Sequence, residues 1–394
     1  MRVLHFGRFY NDRFGGLERH VDLLLRGLQP YCESDNLVAH DRYAAAQVEG
    51  EGYTVYKTPS LGKLAGTAMC PTMPLWARRL RRMHDYDLVH LHFPDPMAHL
   101  ASAFLPPSVK RVITWHSDIV RQKRLLRLYR PFLDRIVRRA DAIIVPTPRH
   151  YESSTQLTAC SPDRVHVVPF GMDYTPFEKA AAQKARITTL RKALGGGTAS
   201  LIFAVGRHVY YKGFEYLIQA LTEIPHAVLV IGGEGPLTAE WKALAQSLSM
   251  TDRIRFVGRI PDAELPFYYH ACDVFCMPSV APAEAFGLVQ LEAMACGKPV
   301  VCCELHNGVT YVNRDGETGL VVPPRDARAL AAALSALLTN PMLRQRLGQE
   351  GRRRIRTKFS WNAMIAGTLG VYECLLGESA PHRPSRHIGQ AQTG

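Results

Sequence analysis

Short β-rich runs separated by helical stretches recur along the whole 394-residue chain, and this alternation constrains the fold more than any other feature. Strands that run in one direction need a crossover between them, usually a helix. The pattern therefore predicts an α/β chain with doubly wound parallel sheets covered by helices on both faces. The expected strands of the first half are 3–6, 87–92, 109–115, 142–146 and 165–168. Those of the second half are 201–205, 227–231, 254–257, 274–277, 299–303 and 319–322.

Between the two sets lies a polar, Ala-rich stretch ending in Gly195-Gly196-Gly197, which reads as a linker. The expected organisation is a Rossmann-like domain over 1–170, a linker over 171–198 and a second Rossmann-like domain over 199–360. A helix over 361–376 then packs back across the junction, and 377–394 forms a disordered tail. Two such domains face each other across a cleft, each presenting the C-terminal ends of its strands.

Composition narrows the function. Apolar residues at 47% and charged residues at 21% describe a folded chain with a normal core. A net charge of +13 points to an anionic partner. No apolar run reaches the ~20 residues of a bilayer span, and the start, Met1-Arg2-Val3-Leu4-His5-Phe6-Gly7-Arg8, breaks before a signal-peptide core forms, so a cytoplasmic protein is expected. The nine cysteines sit mostly in apolar runs as reduced thiols. Cys272 and Cys276 have no second Cys/His pair nearby and read as core residues, not as a zinc site.

Three segments carry chemistry. Glu284-Ala285-Phe286-Gly287-Leu288 leads into a run ending at Cys296-Gly297, which reads as loop, helix and glycine stop. A helix starting near Phe286 aims free N–H groups at the cleft, a seat for phosphate or a sugar hydroxyl, with Glu284 just before it and Glu292 about two turns on. The alternative for this carboxylate pair is a solvated face. Gly206-Arg207-His208-Val209-Tyr210-Tyr211-Lys212-Gly213 follows a strand and offers two cations to a diphosphate, or else forms a solvated basic loop. Gly15-Gly16-Leu17-Glu18 opens a helix after the first strand, but lacks both the third glycine of a dinucleotide fingerprint and the lysine of a P-loop.

Together these residues resemble the retaining glycosyltransferases of the two-domain GT-B fold, family 4, from Gly15-Gly16 through the Glu-x7-Glu segment to Asp315-Gly316-Glu317-Thr318-Gly319. The resemblance implies that Glu284 binds donor-sugar hydroxyls and Glu292 the ribose. It implies that Arg207 and Lys212 hold the diphosphate with N–H groups of Phe286, Gly287 and Leu288. Gly16 lets the first loop approach the substrates, and the backbone near Gly258, Arg259 and Ile260 reads the base. His116, in Trp115-His116-Ser117-Asp118, touches the donor sugar near the reacting carbon; its other reading is a hydrogen-bonded structural residue. Catalysis is thereby expected from Glu284, His116, Arg207 and Lys212, with no cofactor and no metal, the cations replacing a divalent ion at the leaving diphosphate.

Within the family, the runs around His116 and Cys303-Glu304-Leu305-His306-Asn307-Gly308 look like mannosyl- and rhamnosyltransferases of bacterial O-antigen assembly, implying GDP-mannose or GDP-rhamnose as donor and a lipid-linked saccharide as acceptor. The alternatives are a UDP-sugar donor and, in another reaction class, a nucleotide-sugar epimerase. Residues 1–170 hold 24 Lys and Arg against 16 Asp and Glu, so +8 of the +13 lies there. Arg121, Lys123, Arg124 and Arg127 open a basic amphipathic stretch, 119–139, that suits the anionic inner face of the cytoplasmic membrane. No helix-turn-helix, zinc-finger or RNA-sheet signature supports a nucleic-acid partner.

Overall fold

Continuous runs of Val, Ile and Leu, buried on both faces, set the central strands, as parallel sheets require. A computed structural model describes residues 1–10, 16–64, 67–120 and 122–377. The first half carries β1 (Arg2–Phe9), β2 (Glu33–Ala39), β3 (Ala46–Glu49), β4 (Thr54–Thr58), the short pair β5 (Lys63–Leu64) and β6 (Thr67–Ala68), β7 (Leu88–Phe93), β8 (Lys110–Trp115), β9 (Ala142–Val145) and β10 (Val165–Val167). The second half carries β11 (Ser200–Val205), β12 (Ala227–Gly232), β13 (Ile254–Gly258), β14 (Val274–Met277), β15 (Val300–Cys303) and β16 (Gly319–Val322).

The first sheet runs β10-β9-β8-β7-β1-β2-β4-β3 and the second β13-β12-β11-β14-β15-β16. All pairs are parallel except β3 with β4 and β5 with β6. Strand order reverses between β1 and β7 in one sheet and between β11 and β14 in the other, and ligands of doubly wound sheets bind at such points.

Every strand expected from the sequence is present within a few residues, but β2 to β6 were not expected. The reason is clearest in β2, whose first half, Glu33-Ser34-Asp35-Asn36, is polar. Its buried polar groups are satisfied by specific partners. Asp35 accepts from Tyr86 Oη at 2.6 Å and pairs with Arg2 at 3.3 Å, while Asn36 Oδ1 accepts from the Gly7 N–H at 3.0 Å.

The stretch read as a linker holds two helices, Thr175–Ala181 and Lys184–Ala193, and its Phe177 and Leu194 enter the core of the second domain. The chain therefore crosses between domains within a few residues of Gly171. It returns at Phe359–Ser360, where the Met172 N–H donates to the Phe359 carbonyl at 3.1 Å. The last helix, Trp361–Leu376, packs on the first domain, with Trp361 Nε1 donating to the Leu23 carbonyl at 2.8 Å.

The basic stretch 119–139 is helical only over Lys123–Arg139, because the Gln156 side-chain amide accepts from the Ile119 N–H and donates to the Ile119 carbonyl, both at 3.1 Å, which holds Ile119 outside a helix. Leu133, Ile136 and Val137 of that helix are buried against the first domain. Gly15, Arg121 and the tail 378–394 lie outside the described residues. No helix among the described residues is long and apolar enough to cross a membrane.

Candidate active site

The loops that follow β11 and β14 meet at the second switch point. Gly213 has a left-handed backbone (φ 64°), and a Cβ there would collide with the Pro278 carbonyl, so only glycine lets the two loops pack together. The Val280 N–H donates to the Tyr211 carbonyl at 2.8 Å and completes the join. The outcome is a charge pair between elements 72 residues apart in sequence: Lys212 Nζ lies 2.5 Å from Glu284 Oε2. Ser279 Oγ donates to the same carboxylate oxygen at 3.0 Å, and Asn307 Nδ2 fixes the Glu284 carbonyl at 2.7 Å.

Burial opposes the Lys212 charge, but Glu284 overcomes it and raises the ammonium above its usual value. The expected pair of loop cations is thus divided. Lys212 is buried and already neutralised, while Arg207 is exposed at the cleft.

The expected helix start near Phe286 is corrected to Leu288, with Gly287 as a left-handed N-cap (φ 75°). The shift arises because Phe286 is pulled into the core against Phe170 and Phe359, at ring separations of 5.0 and 5.9 Å. Gly16 faces this helix start across the domain boundary: a Cβ there would lie 3.7 Å from Leu288 Cδ1. Gly258, left-handed at φ 67°, sits beside Glu234, and Ile260 packs on Gly232.

Glu292 does not join Glu284. It is 3% exposed, accepts from Tyr269 Oη at 2.7 Å and meets Arg19 of the first domain at 3.2 Å. Burial lifts its carboxyl above the usual range, with Arg19 and Tyr269 opposing. Arg19 also reaches Asp262 at 2.5 Å. Burial works against the Arg19 charge, yet the two acids raise it above its usual value. Sequence reading missed this interdomain contact; the arginine directly following Gly15-Gly16-Leu17-Glu18 was the available signal.

On the first-domain side, His116 is buried at the C-terminal end of β8 and stands 5.0 Å from the Phe170 ring. Its Nε2 lies 3.1 Å from His92 Nδ1. His20 fits between them, with ring separations of 4.9 Å to His116 and 4.3 Å to Phe170. Burial holds these rings neutral: His5 and His20 titrate at about 3, and His90, His92 and His116 well below 6.5. Asp85 and Asp87 have Asp-x-Asp spacing, but Asp87 accepts from the Arg2 N–H at 2.8 Å at the N-terminal end of β1, opposite the cleft.

The chain is similar to known proteins over nearly its whole length. Residues 14–175 fit the model described as Glycosyltransferase Family 4, and residues 187–354 that described as Glycosyl transferases group 1. The chain is 30% identical over 382 residues to O-antigen chain mannosyltransferase C of Escherichia coli, covering 95% of this chain and 99% of that protein. It is 31% identical over 369 residues to D-rhamnosyltransferase WbpZ of Pseudomonas aeruginosa, covering 91% and 92%. Among solved structures, sucrose-phosphate synthase of Thermosynechococcus elongatus superposes with a TM-score of 0.80 at 24% identity, covering 96% of this chain and all of that one. HepE of Anabaena, in complex with UDP and glucose, superposes at 0.74 with 21% identity, covering 94% and 99%.

Lys212→Ala strands the Glu284 carboxylate and should lower stability by about 3 kcal/mol. Adding Glu284→Gln should restore most of it without restoring catalysis, as chemical unfolding and turnover measured on the same samples will show. Because the buried histidines titrate far below 6.5, their contribution is complete above that pH and is lost as pH falls toward about 3. The slope is about 1.4 kcal/mol per histidine per pH unit. Thermal melts should therefore be level above pH 6.5 and fall steeply from pH 6.5 to 5; a flat Tm across the lower range would contradict the neutral cluster.

Proposed function

The chain belongs to glycosyltransferase family 4, a hexosyltransferase of the GT-B fold, and on that premise we propose that it transfers mannose or rhamnose from a GDP-sugar to a lipid-linked saccharide of bacterial O-antigen or exopolysaccharide synthesis, with retention of configuration. The donor and pathway rest on the near full-length similarity to the two O-antigen enzymes. The chemistry rests on one observation, the Lys212–Glu284 pair beside the helix that starts at Leu288.

In this reading the donor diphosphate lies against Lys212, Arg207 and the N–H groups around Gly287 and Leu288. These groups offset the negative charge that grows on the departing phosphate, the largest electrostatic demand of the reaction. A metal ion is not required for that step. Glu284, oriented by Lys212 and Ser279, accepts hydrogen bonds from sugar hydroxyls, and Glu292 serves the ribose in exchange for Arg19. Gly258, Arg259 and Ile260 border the base. His116 contacts the sugar near its anomeric carbon. The C–O bond to phosphate breaks, the acceptor hydroxyl attacks from the same face, and its proton passes to the departing phosphate oxygen, leaving GDP.

The acceptor is held at a membrane. The helix Lys123–Arg139 turns Lys123, Arg124 and Arg127 to solvent together with Leu125 and Leu128, the latter 81% exposed. Arg78, Arg79 and Arg82 of the helix Met73–Met83 are exposed as well. Cations interleaved with exposed leucines suit shallow, reversible attachment to anionic lipid.

The donor assignment predicts turnover of GDP-mannose or GDP-rhamnose, with the anomeric configuration of the product retained by NMR and the rate unchanged by magnesium, manganese or their chelation. Preferential use of UDP-glucose would replace the GDP reading, and acceptor-independent isomerisation of the sugar nucleotide would make the protein an epimerase. Membrane attachment predicts flotation with phosphatidylglycerol vesicles that weakens at high salt and in the triple variant Lys123→Gln, Arg124→Gln, Arg127→Gln. Equal flotation on neutral vesicles would reject it.

A further inference from the structure

Beneath His116, on the face of the first sheet that packs against the last helix, three histidines converge. His5 of β1 is the direct cross-strand partner of His90 in β7, and His92 is two residues further along the same face. All three are at most 1% exposed. Ring separations are 5.0 Å for His5–His90, 5.8 Å for His5–His92 and 4.5 Å for His90–His92. One nitrogen from each ring lies within 4.8 Å of the other two.

Their hydrogen bonds do not account for them. Among the described residues, neither nitrogen of His5 has a partner, and His92 Nε2 has none. A neutral imidazole keeps one N–H and one lone pair, so His5 and His92 Nε2 present two buried lone pairs with no donor, which a ligand that accepts lone pairs would satisfy. We propose that His5, His90 and His92 form a binding site for a single late first-row divalent ion, zinc first among them.

The donor set fits. Three neutral imidazoles without a thiolate or carboxylate select zinc, cobalt, nickel or copper over magnesium, calcium or manganese. Two ligands at i and i+2 on one strand and a third on its neighbour form a rigid three-point frame. Tetrahedral zinc needs nitrogens about 3.4 Å apart, a modest closure from the spacing here. Outer partners are also in place. His90 retains a hydrogen bond to Thr114 Oγ1 (2.7 Å) or Tyr372 Oη (2.5 Å) from whichever nitrogen is not ligated. An ion on His92 Nε2 fixes His92 Nδ1 as an N–H donor to His116 Nε2, which assigns the remaining N–H of His116 to its Nδ1. The site thus sets the tautomer of the imidazole at the cleft. His20, His92 and His116 form a second close triad; it shares His92, whose one unpartnered nitrogen can serve only one of the two, and the His20→Gln variant below tells them apart.

The test is metal content, which is read without any transfer assay and so stands or falls apart from the proposed donor and acceptor. Full-length protein, produced without a histidine tag and purified without chelator, should contain about one zinc per chain by inductively coupled plasma mass spectrometry. His5→Gln and His90→Gln should each lower this at least tenfold, while His20→Gln should retain the ion. Protein grown in cobalt should show the visible d–d band of a tetrahedral site, which serves as the readout if a variant fails to fold. Less than about a tenth of an ion per chain, both as isolated and after refolding with equimolar zinc, would overturn the proposal. So would loss of the ion in His20→Gln with retention in His5→Gln.

Discussion

The cleft depends on the place where the chain passes twice between the sheets. At Gly171 the outgoing segment runs so close to the Ser360 carbonyl that no side chain fits, and Met172 and Ser360 pair like neighbouring strands. This junction brings the C-terminal strand ends of both sheets together. It lets Phe170 touch His20 and His116 on one side and Phe286 on the other. Away from the junction the domains meet through polar side chains: Arg19 with Glu292 and Asp262, and Arg149 with Thr310 and Glu304. Interfaces of that kind yield to ligands more readily than apolar ones, because water and incoming hydroxyls can replace each partner. On the proposed reading, a ribose arriving at Glu292 exchanges with Arg19, which couples nucleotide binding to the spacing of the domains.

The charges at the cleft are arranged before any ligand arrives. Lys212 alone in this buried position would lose its proton or destabilise the loop, and Glu284 alone would face the same penalty. Each supports the charge of the other; Ser279 holds the carboxylate and Asn307 the main-chain carbonyl of Glu284. Preorganisation of this sort removes the reorganisation that water would need when charge develops on a leaving group.

How much of this was legible in the sequence follows from which signals are local. Strands buried on both faces announce themselves as apolar runs, so β7 to β16 were readable, whereas β2 hides its burial behind Ser34, Asp35 and Asn36, whose partners are remote. The two helices within 171–198 were missed because their composition is polar and only Phe177 and Leu194 anchor them. Lys212 and Glu284 could each be singled out from loop position, but not their 2.5 Å pairing, since nothing in the sequence states that the loops after β11 and β14 meet. The Arg19–Glu292 contact spans 273 residues and two domains, beyond any local pattern.

The histidines show the same limit. In Leu88-Val89-His90-Leu91-His92-Phe93, period-two alternation places both imidazoles on one face, yet the run still reads as an ordinary buried strand because neutral histidine is compatible with a core. Only the register that sets His5 beside His90 turns scattered residues into a cluster. The two sides of the cleft consequently differ in kind. The second domain contributes fixed charge, Lys212, Arg207 and Glu284, which on the proposed reading meets a diphosphate and a sugar hydroxyl. The first contributes neutral imidazoles, which can donate or accept a hydrogen bond without adding charge where, on the proposed reading, an acceptor hydroxyl must approach a carbon that is becoming positive. On that same reading a proton on His116 itself would add charge beside that carbon, and burial keeps the ring neutral.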